Sequence, residues 1–217
     1  MKLLAAAPVA LALLADSANA TTLLGVDVFE DGKIILGVTG VSGGMIQFTG
    51  ATGTLFSDVN VTVTGDSLGD LTLTGSASLA VAGAAHELEF VATQSNIVPT
   101  STNLAFTNNF SATFPGAFVA NFANSIDPLN RPFFGAAIAS QSFTVSPAAA
   151  TVPGNTTLAS LTDFAETIVM DFDVGGGSVS GTNSMVAGVP EPSTWALLLL
   201  GFVFLAFASR RGLRPVL

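Results

Sequence analysis

The stretch LLGVDVFEDGKIILGV, Leu23 to Val38, decides how the chain is read. Two apolar runs, Leu23 to Phe29 and Lys33 to Val38, flank Glu30-Asp31-Gly32. Asp-Gly supplies the positive φ values that a tight hairpin turn requires, so the stretch predicts two antiparallel strands. The same signature repeats outward from it. Gly53 to Thr64 places Leu55, Val59, Val61 and Val63 on one face and Asn60, Thr62 and Thr64 on the other, the period of two of a half-buried strand. After the turn Gly65 to Asp70, Leu71 to Val81 repeats the alternation, and His86 to Thr93 follows a Gly and Ala corner.

Phe106, Phe110, Phe114, Phe118 and Phe122 recur every four residues, a spacing that fits one face of a helix or one face of a strand. Pro115-Gly116 cannot lie inside a comfortable helix, and the intervening Thr, Asn and Ser are poor helix formers. The reading is therefore two strands joined at Pro115-Gly116, with the phenylalanines packing a core. Phe133 to Val145 and Thr156 to Val174 complete the series, separated by a loop from Ser146 to Asn155 rich in Ala and Pro. Leu158 to Glu166 is open to a short helix instead. Many short strands without long helices predict an all-β chain, a single antiparallel β-sandwich-like domain.

The mean hydropathy of +0.65 is inflated by the two ends. At the start stand Lys2, the apolar run Leu3 to Leu14 and a polar stretch closing on Ala18-Asn19-Ala20. That grammar is a secretory signal peptide cut after Ala20, and its apolar run is too short to span a bilayer. The whole chain carries fifteen acidic against six basic residues, and within the body only Lys33 and Arg131 are basic. Such a surface repels phosphate backbones, so no nucleic-acid partner is expected. There is no cysteine, which excludes disulfides and thiolate metal sites.

Near the C-terminus, Val189-Pro190-Glu191-Pro192-Ser193-Thr194-Trp195 precedes an apolar run to Ala208, and Ser209-Arg210-Arg211 follows. The prolines favour an extended, protease-accessible approach. Trp195 suits a membrane interface, and the run makes a short transmembrane helix. Arg210, Arg211 and Arg214 hold the cytoplasmic side, which leaves the body on the far side. This segment resembles the PEP-CTERM sorting tail of exported proteins in Gram-negative, exopolysaccharide-producing bacteria. The resemblance implies signal peptidase and a membrane-embedded exosortase as processing partners, and transient residence in the inner membrane. It further implies cleavage near Pro190-Glu191-Pro192, delivery to the cell surface or extracellular matrix, and an association with biofilm or exopolysaccharide. Around Ser160 to Val169 the body also resembles the loosely similar β-rich ectodomains that precede such tails. The expected layout is a signal peptide at 1–20, a β-rich globular domain at 21–174 and a glycine-rich segment or last strand at 175–188. A sorting and transmembrane segment at 189–211 and a cytoplasmic tail at 212–217 follow.

No complete catalytic constellation is legible in the body. His86 is the only histidine. Glu87 and Glu89 share one strand face and His86 takes the other. Asp171 and Asp173 begin a calcium-loop pattern, but Gly175 stands where the third ligand belongs. Gly40-Val41-Ser42-Gly43-Gly44 and Gly65-Asp66-Ser67-Leu68-Gly69 have nucleophile-elbow spacing but lead into strand-like stretches rather than helices. Gly65-Asp66-Ser67-Leu68 also resembles the nucleophile block of GDSL hydrolases, whose Asp-x-x-His block fails here because Gly83 precedes His86 by three. The units Thr62-Val63-Thr64 and Thr72-Leu73-Thr74 would order surface water if stacked in a flat array. The sequence thus predicts a noncatalytic exported protein with no cofactor and no metal. The alternatives are a hydrolase or ligand-binding protein using gathered carboxylates, or Ser67 with His86, and ice binding.

Overall fold

The structure, a computed structural model, describes residues 22–188 apart from 43, 81–83, 100 and 116–117. The signal peptide with Ala18 and Ala20, the sorting residues Pro190, Glu191, Pro192, Trp195, Arg210 and Arg211, the apolar helix and the cytoplasmic tail lie outside the described residues. Among the described residues there is no helix.

The opening hairpin forms as read: β1 (Leu23–Glu30) turns through Asp31 and Gly32, with φ of 45° and 72°, into β2 (Lys33–Ser42). A meander follows, of β3 (Met45–Ala51), β4 (Phe56–Gly65) and β5 (Leu71–Leu79). Then come β6 (His86–Ile97), β7 (Asn103–Thr113), β8 (Val119–Asp127) and β9 (Ala136–Phe143). The series closes with β10 (Ala148–Thr157), β11 (Phe164–Val174) and β12 (Gly177–Gly188).

Two six-stranded sheets result, sheet A in the order β2-β1-β6-β11-β8-β9 and sheet B in the order β10-β7-β12-β5-β4-β3. Their pairings are antiparallel, and those from β5 onward are nested: β8 with β9, β7 with β10, β6 with β11 and β5 with β12. That order is one long ribbon hairpin rolled over itself, the jelly-roll form of a double-sheet sandwich. The β1–β2 hairpin and the β3–β4 pair extend its two sheets.

Alternation along each strand fills the space between the sheets. Val26, Val28, Leu88, Phe90, Ile168, Met170 and Phe172 face inward from sheet A; Val59, Val61, Val63, Leu71, Leu73, Phe106 and Phe110 face them from sheet B. Phe122 is the aromatic hub, its ring centroid 5.6 Å from Phe110, 5.6 Å from Phe143 and 6.1 Å from Phe172. Gly75 and Gly181, opposite each other on β5 and β12, leave room on sheet B for two rings of sheet A. A Cβ on Gly75 would lie 3.0 Å from Phe90, and one on Gly181 2.8 Å from Phe172.

Several local expectations are corrected. The stretch from Ser146 to Asn155 is not a loop, because most of it is β10. This strand sits on the edge of sheet B, where Pro153 interrupts no ladder on its open side. The strand expected from Thr156 to Val174 is split, because residues 158–163 form open chain, neither strand nor helix, between the end of β10 and the start of β11 at Phe164. The strand expected from Phe133 begins only at Ala136, since Phe133 and Gly135 have φ of 63° and 139°. The two phenylalanine-bearing strands flank Pro115 as read, yet β7 and β8 belong to opposite sheets, so their rings meet across the core.

Candidate functional site

Odd-numbered positions of β1, β6 and β11 face outward from sheet A, and the register sets them in rows. Phe29 lies beside Glu89, Glu89 beside Asp171, and Asp171 beside Asn121 of β8. The next row toward the turn pairs Glu87 with Asp173. The two acidic pairs read separately in the sequence therefore form one patch, joined by a pairing between strands about eighty residues apart in order. Burial pushes the Glu89 carboxyl up, and the charges of Asp171 and Glu87 add to it. Asp171 is raised by burial first and by Glu87 and Asp173, while the Asn121 amide, donating at 3.2 Å to its Oδ2, opposes the rise. Asp27, on the outer side of β1, is raised by burial.

The loop between β8 and β9 folds over this face and turns it into a groove. Thr93 and Thr167, opposite each other on β6 and β11, hold the loop: Phe133 N donates to Thr93 Oγ1 at 3.3 Å and Thr167 Oγ1 donates to the Phe134 carbonyl at 3.3 Å. At the base of the loop, Asp127 is buried. Its Oδ1 accepts from Leu129 N at 3.0 Å, and its Oδ2 accepts from Arg131 N at 3.1 Å and Arg131 Nε at 2.7 Å. The Arg131 guanidinium in turn lies 5.2 Å from the Phe134 ring centroid. The result is a groove of about 430 Å³ walled by Phe29, Phe133 and Phe134, with Asp27, Glu89 and Ser125 among its polar lining. Ring faces beside acceptor oxygens and hydroxyls suit a ligand with apolar CH faces and many hydroxyl groups.

The Arg131 hydrogen bond holds the Asp127 carboxyl below its ordinary value of 3.8, with burial opposing and the two backbone donors assisting. A lowered folded-state value means that the clamp contributes fully above the ordinary value and is lost as pH falls through the depressed one. Asp127→Asn is expected to cost about 1–3 kcal/mol at neutral pH. It should also remove this part of the acid-side loss, as read from urea midpoints measured down the acid range.

The serine constellation does not assemble. Ser67 lies in the β4–β5 turn, against the end of β6 that carries Gln94, whereas His86 starts that strand, about 26 Å away at roughly 3.3 Å per residue. His86 Nδ1 instead meets Asp31 Oδ2 at 2.9 Å beside the opening hairpin turn. The two T-x-T units do stack: Thr62 lies opposite Thr74 and Thr64 opposite Thr72, with Thr182 and Ser184 of β12 continuing the rows on the outer face of sheet B. Sequence reading missed Phe133 and Phe134 as groove walls. Their signal was Arg131-Pro132 before and Gly135 after, a turn rather than a strand start.

Residues 188–212 match the PEP-CTERM protein-sorting motif, a segment that contains Pro190, Glu191, Pro192, Trp195, Arg210 and Arg211. The motif marks an exported protein sorted by an exosortase from a membrane-anchored precursor. No curated protein matches the chain. Among solved structures, the enzymatically active domain of bacteriophage CBA120 tailspike protein 4 is 17% identical over 60% of this chain and 18% of that one, with a TM-score of 0.31. An arabinose-bound α-L-arabinofuranosidase is 11% identical over 62% and 23%, with a TM-score of 0.29. Infectious bursal disease virus, Gx strain, is 12% identical over 85% and 56%, with a TM-score of 0.28. The chain thus spans 18% to 56% of the length of these structures.

Proposed function

We propose that this chain, carrying a PEP-CTERM tail, works after delivery as a noncatalytic protein of the cell surface or matrix that holds exopolysaccharide in the groove on sheet A. The observation that carries the reading is the groove itself, where Phe133 and Phe134 stand over Asp27 and Glu89. Rings stack on the CH faces of a sugar and carboxylates accept from its hydroxyls, while an open groove on a rigid sheet accommodates a chain rather than a single small molecule. The acidic patch beyond it favours a neutral or cationic polysaccharide over a strongly anionic one.

A second reading rests on Glu89 and Asp171. These are cross-strand neighbours, and a pair of carboxyl groups, one acting as acid and the other as ionised base or nucleophile, is the equipment of glycoside hydrolysis. One experiment separates the two. Cells expressing the chain are fractionated, and the mature termini are mapped by mass spectrometry. The matrix fraction should contain a chain that begins at Thr21 and lacks Arg210 and Arg211. Altering Pro190-Glu191-Pro192 should leave the uncut precursor in the membrane. Phe134→Ala combined with Asp27→Asn should leave processing intact but release the mature chain into the medium. Retention of that double variant in the matrix would sink the groove reading. Shortening of isolated polysaccharide by the chain, stopped by Glu89→Gln, would replace it with the hydrolytic one.

A further inference from the structure

Beneath the β4–β5 turn the core ends on two polar side chains that the protein leaves unsatisfied. Glu166 of β11 and Gln94 of β6 are register partners, both on the inward-facing side of sheet A and both wholly buried. Neither carboxylate oxygen of Glu166 has a hydrogen-bond partner, and neither does Gln94 Oε1; only Gln94 Nε2 is used, donating to the Asp66 carbonyl. The turn lies directly over them. At Gly69, with φ of +93°, a Cβ would sit 3.0 Å from Glu166 Oε1, so the backbone there approaches the carboxylate closely.

Asp66 and Asp70 stand in the same turn. Asp66 Oδ1 accepts from Leu68 N at 2.8 Å and Asp70 N at 3.1 Å, and Asp70 Oδ1 accepts from Ala187 N at 2.9 Å. Burial, with the charges of Asp70 and Asp66 behind it, pushes the Glu166 carboxyl well up. Among the described residues no basic side chain answers these oxygens: Lys33 starts β2, and Arg131 is engaged with Asp127. The environment is made of oxygen and carries negative charge. Calcium is the biological cation that takes six to eight oxygen ligands, mixing carboxylates, amide oxygens and backbone carbonyls.

We propose that the β4–β5 turn is a calcium site, with Glu166 as its buried ligand, Gln94 Oε1 and Asp70 beside it, and Asp66 with the turn carbonyls closing the shell. No three acidic groups among the described residues stand in a ready-made cage. The ion therefore has to draw the exposed turn inward, and a site that must be gathered binds at the weak, extracellular end of the calcium range, about 0.1–1 mM. This site is separate from the groove on sheet A and does not depend on what the groove holds. It also departs from the sequence expectation of no metal, and the incomplete calcium-loop pattern at Asp171 and Asp173 lies on the other face of the sheet.

The test uses the full chain in detergent, stripped with a chelator and titrated with Ca²⁺ alone at constant ionic strength, with Tm read by far-ultraviolet circular dichroism. Tm is expected to climb with each step in Ca²⁺ across the range of about 0.1–10 mM. Glu166→Gln, which keeps the shape and removes the charge, should weaken the apparent affinity at least about tenfold. Glu89→Gln with Asp171→Asn should leave it unchanged. If Glu166→Gln does not fold, Asp70→Asn on the turn must produce the same weakening. A Tm indifferent to Ca²⁺ would overturn the site in favour of a protonated Glu166 donating to Gln94. So would a rise that survives the Glu166 or Asp70 substitution, or one that disappears with Glu89 and Asp171.

Discussion

Glu30→Ala is expected to cost about 3–5 kcal/mol, a large part of the stability of a domain this size. Glu30 ends β1, is 3% exposed, and reaches across to the segment that leads into β4. Its Oε2 accepts from Thr54 N at 2.8 Å and Thr54 Oγ1 at 3.0 Å, and its Oε1 accepts from Phe56 N at 2.8 Å. Leu55 N reaches both oxygens at 3.3 Å. Alanine would leave the backbone donors of Thr54, Leu55 and Phe56 without this acceptor, and each donor left unpaired costs about 1–3 kcal/mol. Gln at this position keeps one acceptor and turns its own N–H groups toward the donors, so Glu30→Gln should fall between alanine and wild type. Gly53 belongs to the same device, since a Cβ there would overlap the Glu30 carboxylate. Denaturant midpoints at constant m-value measure the effect. A loss under about 1 kcal/mol would mean that water replaces the carboxylate and that the cross-sheet clamp is not needed.

Phe172→Ala should cost about 3–5 kcal/mol, near the top of the range for a buried aromatic. The cost of a cavity depends on how far its walls collapse, and here the wall is backbone. Gly181 faces the ring and Gly75 lies beside it, and neither has a side chain to move into the space. Phe90, set edge-on at 6.3 Å and 88°, and Phe122 would lose their contacts as well. The converse change, Gly181→Val, should be as damaging in the wild type but milder when combined with Phe172→Ala. A double-variant loss equal to the sum of the two single losses would show that ring and glycine are not coupled.

The sandwich was legible because alternation is local: Leu71 and Leu73 against Thr72 and Thr74 declare two faces without reference to any other strand. The Asp31-Gly32 turn was legible for the same reason, as its chemistry is carried by the residues that make it. What could not be read was partnership. Nothing in the sequence says that Glu89 lies beside Asp171, or that Phe110 and Phe122 face each other from opposite sheets, because register between distant strands is set only when the ribbon rolls up. Glu166 and Gln94 were invisible as a pair on the same grounds. A glutamate on the inward phase of a strand is a local contradiction, however, and such contradictions mark function more often than error. The reading of Ser146 to Asn155 as a loop failed because alanine and proline are weak strand signals, tolerated on an edge where only half the backbone groups need partners.

β12 lies in the middle of sheet B, between β5 and β7, and it is the last strand before the sorting motif. Until Gly177–Gly188 is in place, the inner edges of β5 and β7 remain open and Val179 and Met185 are missing from the core. An exported chain crosses the membrane in order, so the piece that closes its sheet arrives last, immediately ahead of the segment that halts it. Such non-local closure is slow, and the open edges are sticky while it is pending. In the membrane-anchored precursor the closing strand β12 is the part of the domain nearest the sorting motif. A chain cut short before Gly177 would therefore lack the strand that joins the two halves of sheet B.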